Sequence, residues 1–229
     1  MIKNLLLQRK IVSIITDRYS NWEEKSYFIS KMIEGKEKGE EILVKLIESH
    51  KNLAVRKGVA SVLGYMKLSH LSSWMIDQIF KEKDWTVRFA LARSVGATIG
   101  SKGVSELQKK FHEKLNELTN FNEQQRAKIS YVESLGAMNF TEGNTILTDM
   151  LLGELQYSEQ TSFELINQII YNLGEIGDEV SLNILINFSP KLNSLNSNIQ
   201  KSLSHSLNKI AQRMGYSSYS DYLNKETQK

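Results

Sequence analysis

Asp84-Trp85-Thr86-Val87-Arg88-Phe89-Ala90-Leu91-Ala92-Arg93-Ser94-Val95-Gly96 is the stretch that decides the fold. Val87, Leu91 and Val95 are spaced four apart, which places them on one face of a helix. Asp84 stands where an N-cap is needed, since its carboxylate can accept the first backbone N–H groups. Gly100 and Ser101 end the helix. Upstream, over 69–82, Leu71, Trp74, Met75, Ile79 and Phe80 also recur at helical spacing. Lys83 and Asp84 form the turn between the two, so the stretch is the second arm of a helical hairpin.

The ending of that arm recurs down the chain. Leu63-Gly64, Val95-Gly96, Leu135-Gly136 and Leu173-Gly174 repeat it, with Leu207-Asn208 as a worn fifth copy, at spacings of 32, 40, 38 and 34 residues. Such self-similarity marks a helical solenoid, whose repeats pack on their neighbours rather than around one centre. The pattern predicts helix pairs at 39–49 with 52–66, 69–82 with 85–99, 103–119 with 122–138, 143–156 with 160–176, and 179–188 with 196–213. Helices over 1–18 and 22–34 form a capping pair within residues 1–38, with a more polar outer face. A tail, 214–229, holds a short helix at 219–224. The expectation is a single all-α domain over 1–229, with five repeats in 39–213. A glycine inside a helix costs roughly 1 kcal/mol relative to alanine. Its recurrence one step past a buried apolar residue predicts close approach of the next helix, not a ligand site.

Composition sets bounds. Apolar residues are 41% of the 229, too many for disorder, and the single proline, Pro190, suits long helices. There is no cysteine, which excludes disulfides, thiolate metal sites and a cysteine nucleophile and points to a reducing compartment. The apolar run Leu5–Leu7 breaks at Gln8-Arg9-Lys10, so the N-terminus reads as an amphipathic helix and not a secretory leader. No apolar run approaches membrane-spanning length. A cytoplasmic protein with no membrane partner is expected. The net charge is +3, but residues 51–100 hold eight Lys/Arg against three Asp/Glu, and residues 151–200 hold one against six. Such asymmetry can steer a charged partner.

The acidic turn, Val87-Arg88, the small residues and Val95-Gly96 together resemble the second helix of a HEAT repeat. Val55-Arg56 to Leu63-Gly64 and Ala127-Lys128 to Leu135-Gly136 match the same pattern. Leu173-Gly174-Glu175-Ile176-Gly177-Asp178 is similar to the inter-repeat turn of the short bacterial, phycobilisome-lyase-like class. The fourth and fifth copies depart from it, with Ile166 and Gln200 at the arginine step, and no copy has the first-helix proline of longer HEAT repeats. The resemblance implies a right-handed α-α superhelix of paired antiparallel helices, with the second helices lining a concave face. It also implies that Arg56 and Arg88 pair with their turns; Arg88 is four residues past Asp84.

Residues one step off the buried stripe then face the concavity. Copy by copy these are Leu53, Lys57, Ser61; Trp85, Phe89, Arg93; Gln125, Ile129, Glu133; Phe163, Asn167, Tyr171; and Ser197, Lys201, His205. Each set is spaced i, i+4, i+8 and shares a helix face. Large aromatics and arginine are the residue types enriched in binding hot spots. The expected partner-binding set is Trp85, Phe89, Arg93, Lys57, Ile129, Phe163, Asn167, Tyr171 and Lys201. Arg126 and Lys128 are further candidates for an outside contact.

The function expected is a non-catalytic scaffold or adaptor that binds another protein. No catalytic residue, metal or cofactor is expected. His50, His70, His112 and His205 are isolated, His112-Glu113 is the one His-Glu pair, and neither a P-loop nor a G-x-S-x-G elbow is present. The runner-up is nucleic-acid binding, in the manner of HEAT-like alkylpurine glycosylases, through the basic 51–100 section and Trp22, Trp74 and Trp85. The acidic second half argues against it, because a phosphate backbone would be repelled there.

Overall fold

A computed structural model describes residues 2–35, 38–100, 103–138, 141–157 and 162–226. Among them there are thirteen α-helices, one short 3-10 turn and no strand. The helices cluster in two compact units, 1–100 and 101–229. The first holds α1 (Ile2–Thr16), α2 (Trp22–Ile33), α3 (Gly39–Ser49), α4 (Leu53–Met66), α5 (Ser72–Lys81) and α6 (Trp85–Ile99). The second holds α7 (Val104–Glu117), α8 (Phe121–Met138), α9 (Thr141–Tyr157), α10 (Phe163–Ile176), α11 (Glu179–Asn193), α12 (Ser197–Arg213) and α13 (Tyr219–Glu226).

Within each unit, consecutive helices pair as hairpins: α1 with α2, α3 with α4 and α5 with α6, then α7 with α8, α9 with α10 and α11 with α12. The second arms also pack on one another, α2 on α4 on α6 in the first unit and α8 on α10 on α12 in the second. The expected stripe holds: Val87, Leu91 and Val95 are fully buried, as are Val55, Val59 and Leu63 on α4 and Leu165, Ile169 and Leu173 on α10. Each such side chain stabilises its unit by roughly 2 kcal/mol relative to exposure.

Every second arm starts on a short polar cap. Asn21, Asn52, Asp84, Asn120, Ser162 and Asn196 each accept a backbone N–H from the first turn of their helix. From cap to ladder residue is twelve positions in α4, α6, α10 and α12 (52 to 64, 84 to 96, 162 to 174, 196 to 208). In α8 it is sixteen, 120 to 136, so α8 carries one extra N-terminal turn. That turn accounts for the long spacing of 40 in the ladder.

Three of the ladder glycines, Gly64, Gly136 and Gly174, are contact points between second arms of one unit. A Cβ on Gly64 would lie 2.7 Å from Ser94 Oγ and 2.9 Å from Ser94 Cα. A Cβ on Gly174 would lie 2.6 Å and 2.9 Å from the same atoms of Ser206. Both serines tie back to the preceding arm: Ser94 Oγ donates to Ala60 O (2.6 Å) and Ser206 Oγ to Ile170 O (2.7 Å), each four residues before the glycine it covers. Gly136 is covered by Asn172 in the same way. The partner is thus the residue two before the next ladder position, a small polar side chain that the helical pattern alone does not mark.

Several expectations need correction. The helix expected over 69–82 opens as a 3-10 turn, Ser69–Leu71, before α5. The helix expected to stop at 188 runs through Pro190 to Asn193. Pro190 sits one turn from the end, so its missing N–H costs a single bond there. The helix expected from 160 begins at Phe163; residues 160 and 161 lie outside the described residues. The capping pair is less polar than expected, since Leu5, Leu6, Tyr27 and Phe28 are about half exposed. Trp74 is half-buried rather than core, and its indole N–H donates to Glu48 of α3 (3.1 Å).

Candidate functional site

A first repeated device lies four residues past the N-cap of every second arm but α10, where Ile166 stands at that step, and holds the hairpin turn. Lys25 is buried and donates from Nζ to Ile15 O (3.1 Å) and Asp17 O (2.6 Å). Arg56 donates to His50 O (2.9 Å) and, through Nε, to Glu82 (3.2 Å), while Arg88 donates from Nε to Glu82 O (3.1 Å). These carbonyls end the preceding arm, where orphan acceptors need partners. In the second unit a neutral amide does the same work: Gln124 Nε2 donates to Leu118 O (2.6 Å) and Gln200 Nε2 to Asn193 O (2.6 Å). Arg56 and Arg88 are therefore structural, and Gln200 keeps the clasp without the charge. Lys128, aligned by its glycine with Arg56, instead pairs with Glu154 of α9 (3.0 Å).

In the first unit the expected residues fall on the outer face of α4 and α6. Gly64 and Ser94 fix the register, so Leu53 and Trp85 both occupy the first helical position of adjacent arms. Trp85 is 72% exposed and Leu53 45%. Phe89, one turn on, is half-buried and meets Trp85 edge to face, with centroids 6.4 Å apart and planes at 74°. Lys57 and Arg93 are exposed on the same two helices. At the cap of α6, the Thr86 hydroxyl (2.6 Å) holds the Asp84 carboxyl below its usual range. Partial burial opposes this shift, and the Val87 and Thr86 N–H groups add to it. Trp22, also at a first helical position, lies over Gly58 instead, where a Cβ would come within 3.1 Å of its ring.

In the second unit, Phe163 (47% exposed) and Tyr171 stand two turns apart on α10, with half-buried Asn167 between them. Tyr171 stacks on His205 of α12, centroids 5.9 Å apart and planes at 6°, and Lys201 is exposed one turn before His205. Ile129 on α8 is half-buried. Glu133, at the next step of that row, is only 2% exposed and does not face outward. Its Oε2 accepts from Gln168 Nε2 (2.6 Å) and Asn172 Nδ2 (3.2 Å), both on α10. It is a buried polar tie between two arms.

One exposed aromatic escapes the glycine register. Phe121 is 44% exposed and occupies the first position of α8, equivalent to Leu53, Trp85 and Phe163. Counting from the cap rather than from the glycine would have found it. The expected set divides between units: Lys57, Trp85, Phe89 and Arg93 belong to the first, and Ile129, Phe163, Asn167, Tyr171 and Lys201 to the second.

The first arms of the first unit frame a cleft of about 270 Å³ between Glu40, Glu41, Val44, Lys45, Glu48, His70 and Leu71. Two of its three acids are engaged across the hairpins, Glu40 with His70 Nε2 (2.6 Å) and Glu48 with Trp74 and Gln78. Among the described residues no three His, Asp or Glu converge as metal ligands. Tyr131 is buried beside Phe111, and burial pushes its phenol up to about 12, so it stays protonated at neutral pH. Among the described residues no helix is long and apolar enough to cross a membrane. No family model and no curated protein matches the chain.

Proposed function

We propose that the chain is a HEAT-like α-solenoid, a right-handed superhelix of paired helices. It works as a non-catalytic scaffold or adaptor in the cytoplasm and docks another protein on its second arms. One observation carries this reading. Large apolar side chains sit exposed at the same first-turn position of successive arms: Leu53 and Trp85 in one unit, Phe121 and Phe163 in the other. A monomer that needed these residues for packing would bury them, as it buries the stripe beside them. Recurring exposed aromatics at fixed register are what a docking face needs, since aromatic anchors supply most of the energy at an interface. Stacked hairpins, second arms interlocked through glycine, and clasped turns also support the HEAT-like reading, because that fold presents its second arms as a layer.

The test is a pull-down with the wild-type chain, with Trp85→Ala plus Phe89→Ala, and with Phe163→Ala plus Tyr171→Ala. Loss of a specific partner in at least one double variant is expected. Equal recovery of every partner by all three would contradict the docking assignment.

The basic section favours a second reading, nucleic-acid binding. α4 and α6 contain Arg56, Lys57, Arg88 and Arg93 and no carboxylate. Binding to duplex DNA would then weaken steeply as salt rises, and no gel shift at low salt would remove that reading.

A further inference from the structure

The fifth copy of the ladder ends on Asn208 instead of glycine, and its contact differs in kind. In α4 and α10 the ladder residue meets the next second arm, where a Cβ would lie 2.9 Å from the Cα of Ser94 or Ser206. Asn208, twelve positions past its cap like Gly64 and Gly174, meets α13. Its Oδ1 accepts the backbone N–H of Tyr219, the first residue of α13 (3.0 Å), and its Nδ2 donates to Ser204 O (3.0 Å). The start of α13 therefore stands where a further second arm would pack. Gly215, in the left-handed region at φ 93°, makes the turn between α12 and α13. Tyr222 completes the seat: it is 7% exposed, T-shaped to Tyr216 (centroids 5.1 Å apart) and stacked on Tyr219 (6.3 Å).

We propose that α13 is a plug: it occupies, from within the chain, a docking site for a short helix on α12, and a partner's helix binds there when α13 lifts. The seat differs from an interlock between arms in two ways. The side chain of Asn208 fills the space that a glycine leaves open, so a further second arm cannot come as close as Ser94 comes to Gly64. Asn208 Oδ1 also takes a first-turn N–H, one of the groups that a helix start leaves without an acceptor of its own. The site therefore selects the start of a helix and not its flank. Its occupant shows the chemistry required: tyrosines at the first and fourth helical positions, which share a face. Leu223, Asn224 and Lys225 are exposed and leave the rest of the helix free to vary. α13 is also held more lightly than an arm. α12 is tied to α10 through Ser206 on Ile170 O and Lys209 on Glu175, and it buries Ile199, Leu203, Leu207 and Ile210. Among its described residues, α13 buries one large side chain, Tyr222. Segments with few buried contacts open first. The inference uses neither Trp85 nor Phe163 and does not depend on the docking face proposed above.

The probe is a peptide of residues 216–226 with a fluorescent label at its C-terminal end, and anisotropy with full-length chains is the readout. Tyr222→Ala in the chain removes the buried anchor of its own α13 and leaves the seat on α12 to the peptide, which keeps its tyrosine. This variant is expected to bind the peptide at least about tenfold more tightly than wild type, whose site is open only for the fraction of time that α13 is away. Adding Asn208→Ala to the variant should take that gain back. Hydrogen exchange on the wild-type chain should show residues 219–226 exchanging faster than α10 and α12. Equal affinity of wild type and Tyr222→Ala overturns the inference. So does binding that ignores Asn208→Ala, or no saturation of any chain by millimolar peptide. Lost protection of α10 and α12 in the Tyr222→Ala chain overturns it too, because α13 would then belong to the core of its unit. None of these outcomes bears on Trp85, so the pull-down decides the scaffold reading separately.

Discussion

The two units solve one packing problem with different side chains. In both, a glycine on one second arm receives a small polar residue from the next: Gly64 takes Ser94 in the first unit, and Gly136 and Gly174 take Asn172 and Ser206 in the second. In both, a donor four residues past the cap holds the preceding turn. The first unit uses cations, Lys25, Arg56 and Arg88; the second uses amides, Gln124 and Gln200. The comparison separates what the fold requires from what the surface does. Close approach and satisfied carbonyls are required, while charge is free to vary. The first unit has kept cations on its outer face, and the second has placed a carboxylate, Glu133, inside.

The comparison can be broken at the glycines first. Gly64→Val should destabilise the first unit by about 3 kcal/mol, because the new atoms meet the Ser94 backbone and cannot simply rotate away. Gly153, on α9, has nothing within 4 Å of a Cβ, so Gly153→Ala should gain about 0.5–1 kcal/mol instead. Urea denaturation followed by circular dichroism reads both. A Gly64→Val variant as stable as wild type would remove the interlock. The next largest effect is expected at the buried tie. Glu133→Ala leaves the Gln168 and Asn172 amides without their acceptor and should cost about 2–3 kcal/mol in the same assay.

The clasps sharpen the contrast. Arg56→Ala removes bonds to a carboxylate as well as a carbonyl and should cost about 2 kcal/mol, whereas Gln200→Ala, which loses one neutral bond, should cost about 1 kcal/mol. Equal costs would mean that the charge adds nothing to the clasp. The smallest of these effects concerns Asp84. Its folded pKa lies below the unfolded value of 3.8, so its contribution is present above that pH and is lost as pH falls through the folded value. Asp84→Ala should cost about 1 kcal/mol at pH 7, and the gap from wild type should narrow below pH 3.8. A gap that stays constant into acid would show that the carboxylate's charge is not what caps α6.

The helices were legible because the apolar spacing is strict. Val87, Leu91 and Val95 admit one face, and the structure buries it. The ladder was legible for a similar reason, since each glycine follows a stripe residue. What lay across from each glycine was not, because Ser94, Asn172 and Ser206 come from the next repeat and carry no periodic signal of their own. The register of α8 misled for a physical reason. Its extra turn moves the cap away from Gly136, so alignment on the glycine put Lys128 at the clasp and passed over Gln124 and Phe121. The helix expected to stop at 188 continues to Asn193 because Pro190, late in a helix, removes only one bond. The exposure of Trp85, Phe163 and Tyr171 followed from their place beside the stripe. The inward turn of Glu133 did not, because it depends on two amides presented by α10.

The claim that matters most is that Trp85 stands on a free face while Gly64 is locked into the stack. All three tryptophans, Trp22, Trp74 and Trp85, belong to the first unit, so tryptophan fluorescence reports the unfolding of that unit. Guanidinium denaturation of Trp85→Ala, read by the two tryptophans that remain and set beside Gly64→Val, is the direct measurement. The account predicts that Trp85→Ala stays within about 0.5 kcal/mol of wild type, as an exposed residue outside the packing should, while Gly64→Val loses about 3 kcal/mol. A loss of about 2 kcal/mol or more in Trp85→Ala would make Trp85 a packing residue and would contradict the docking face.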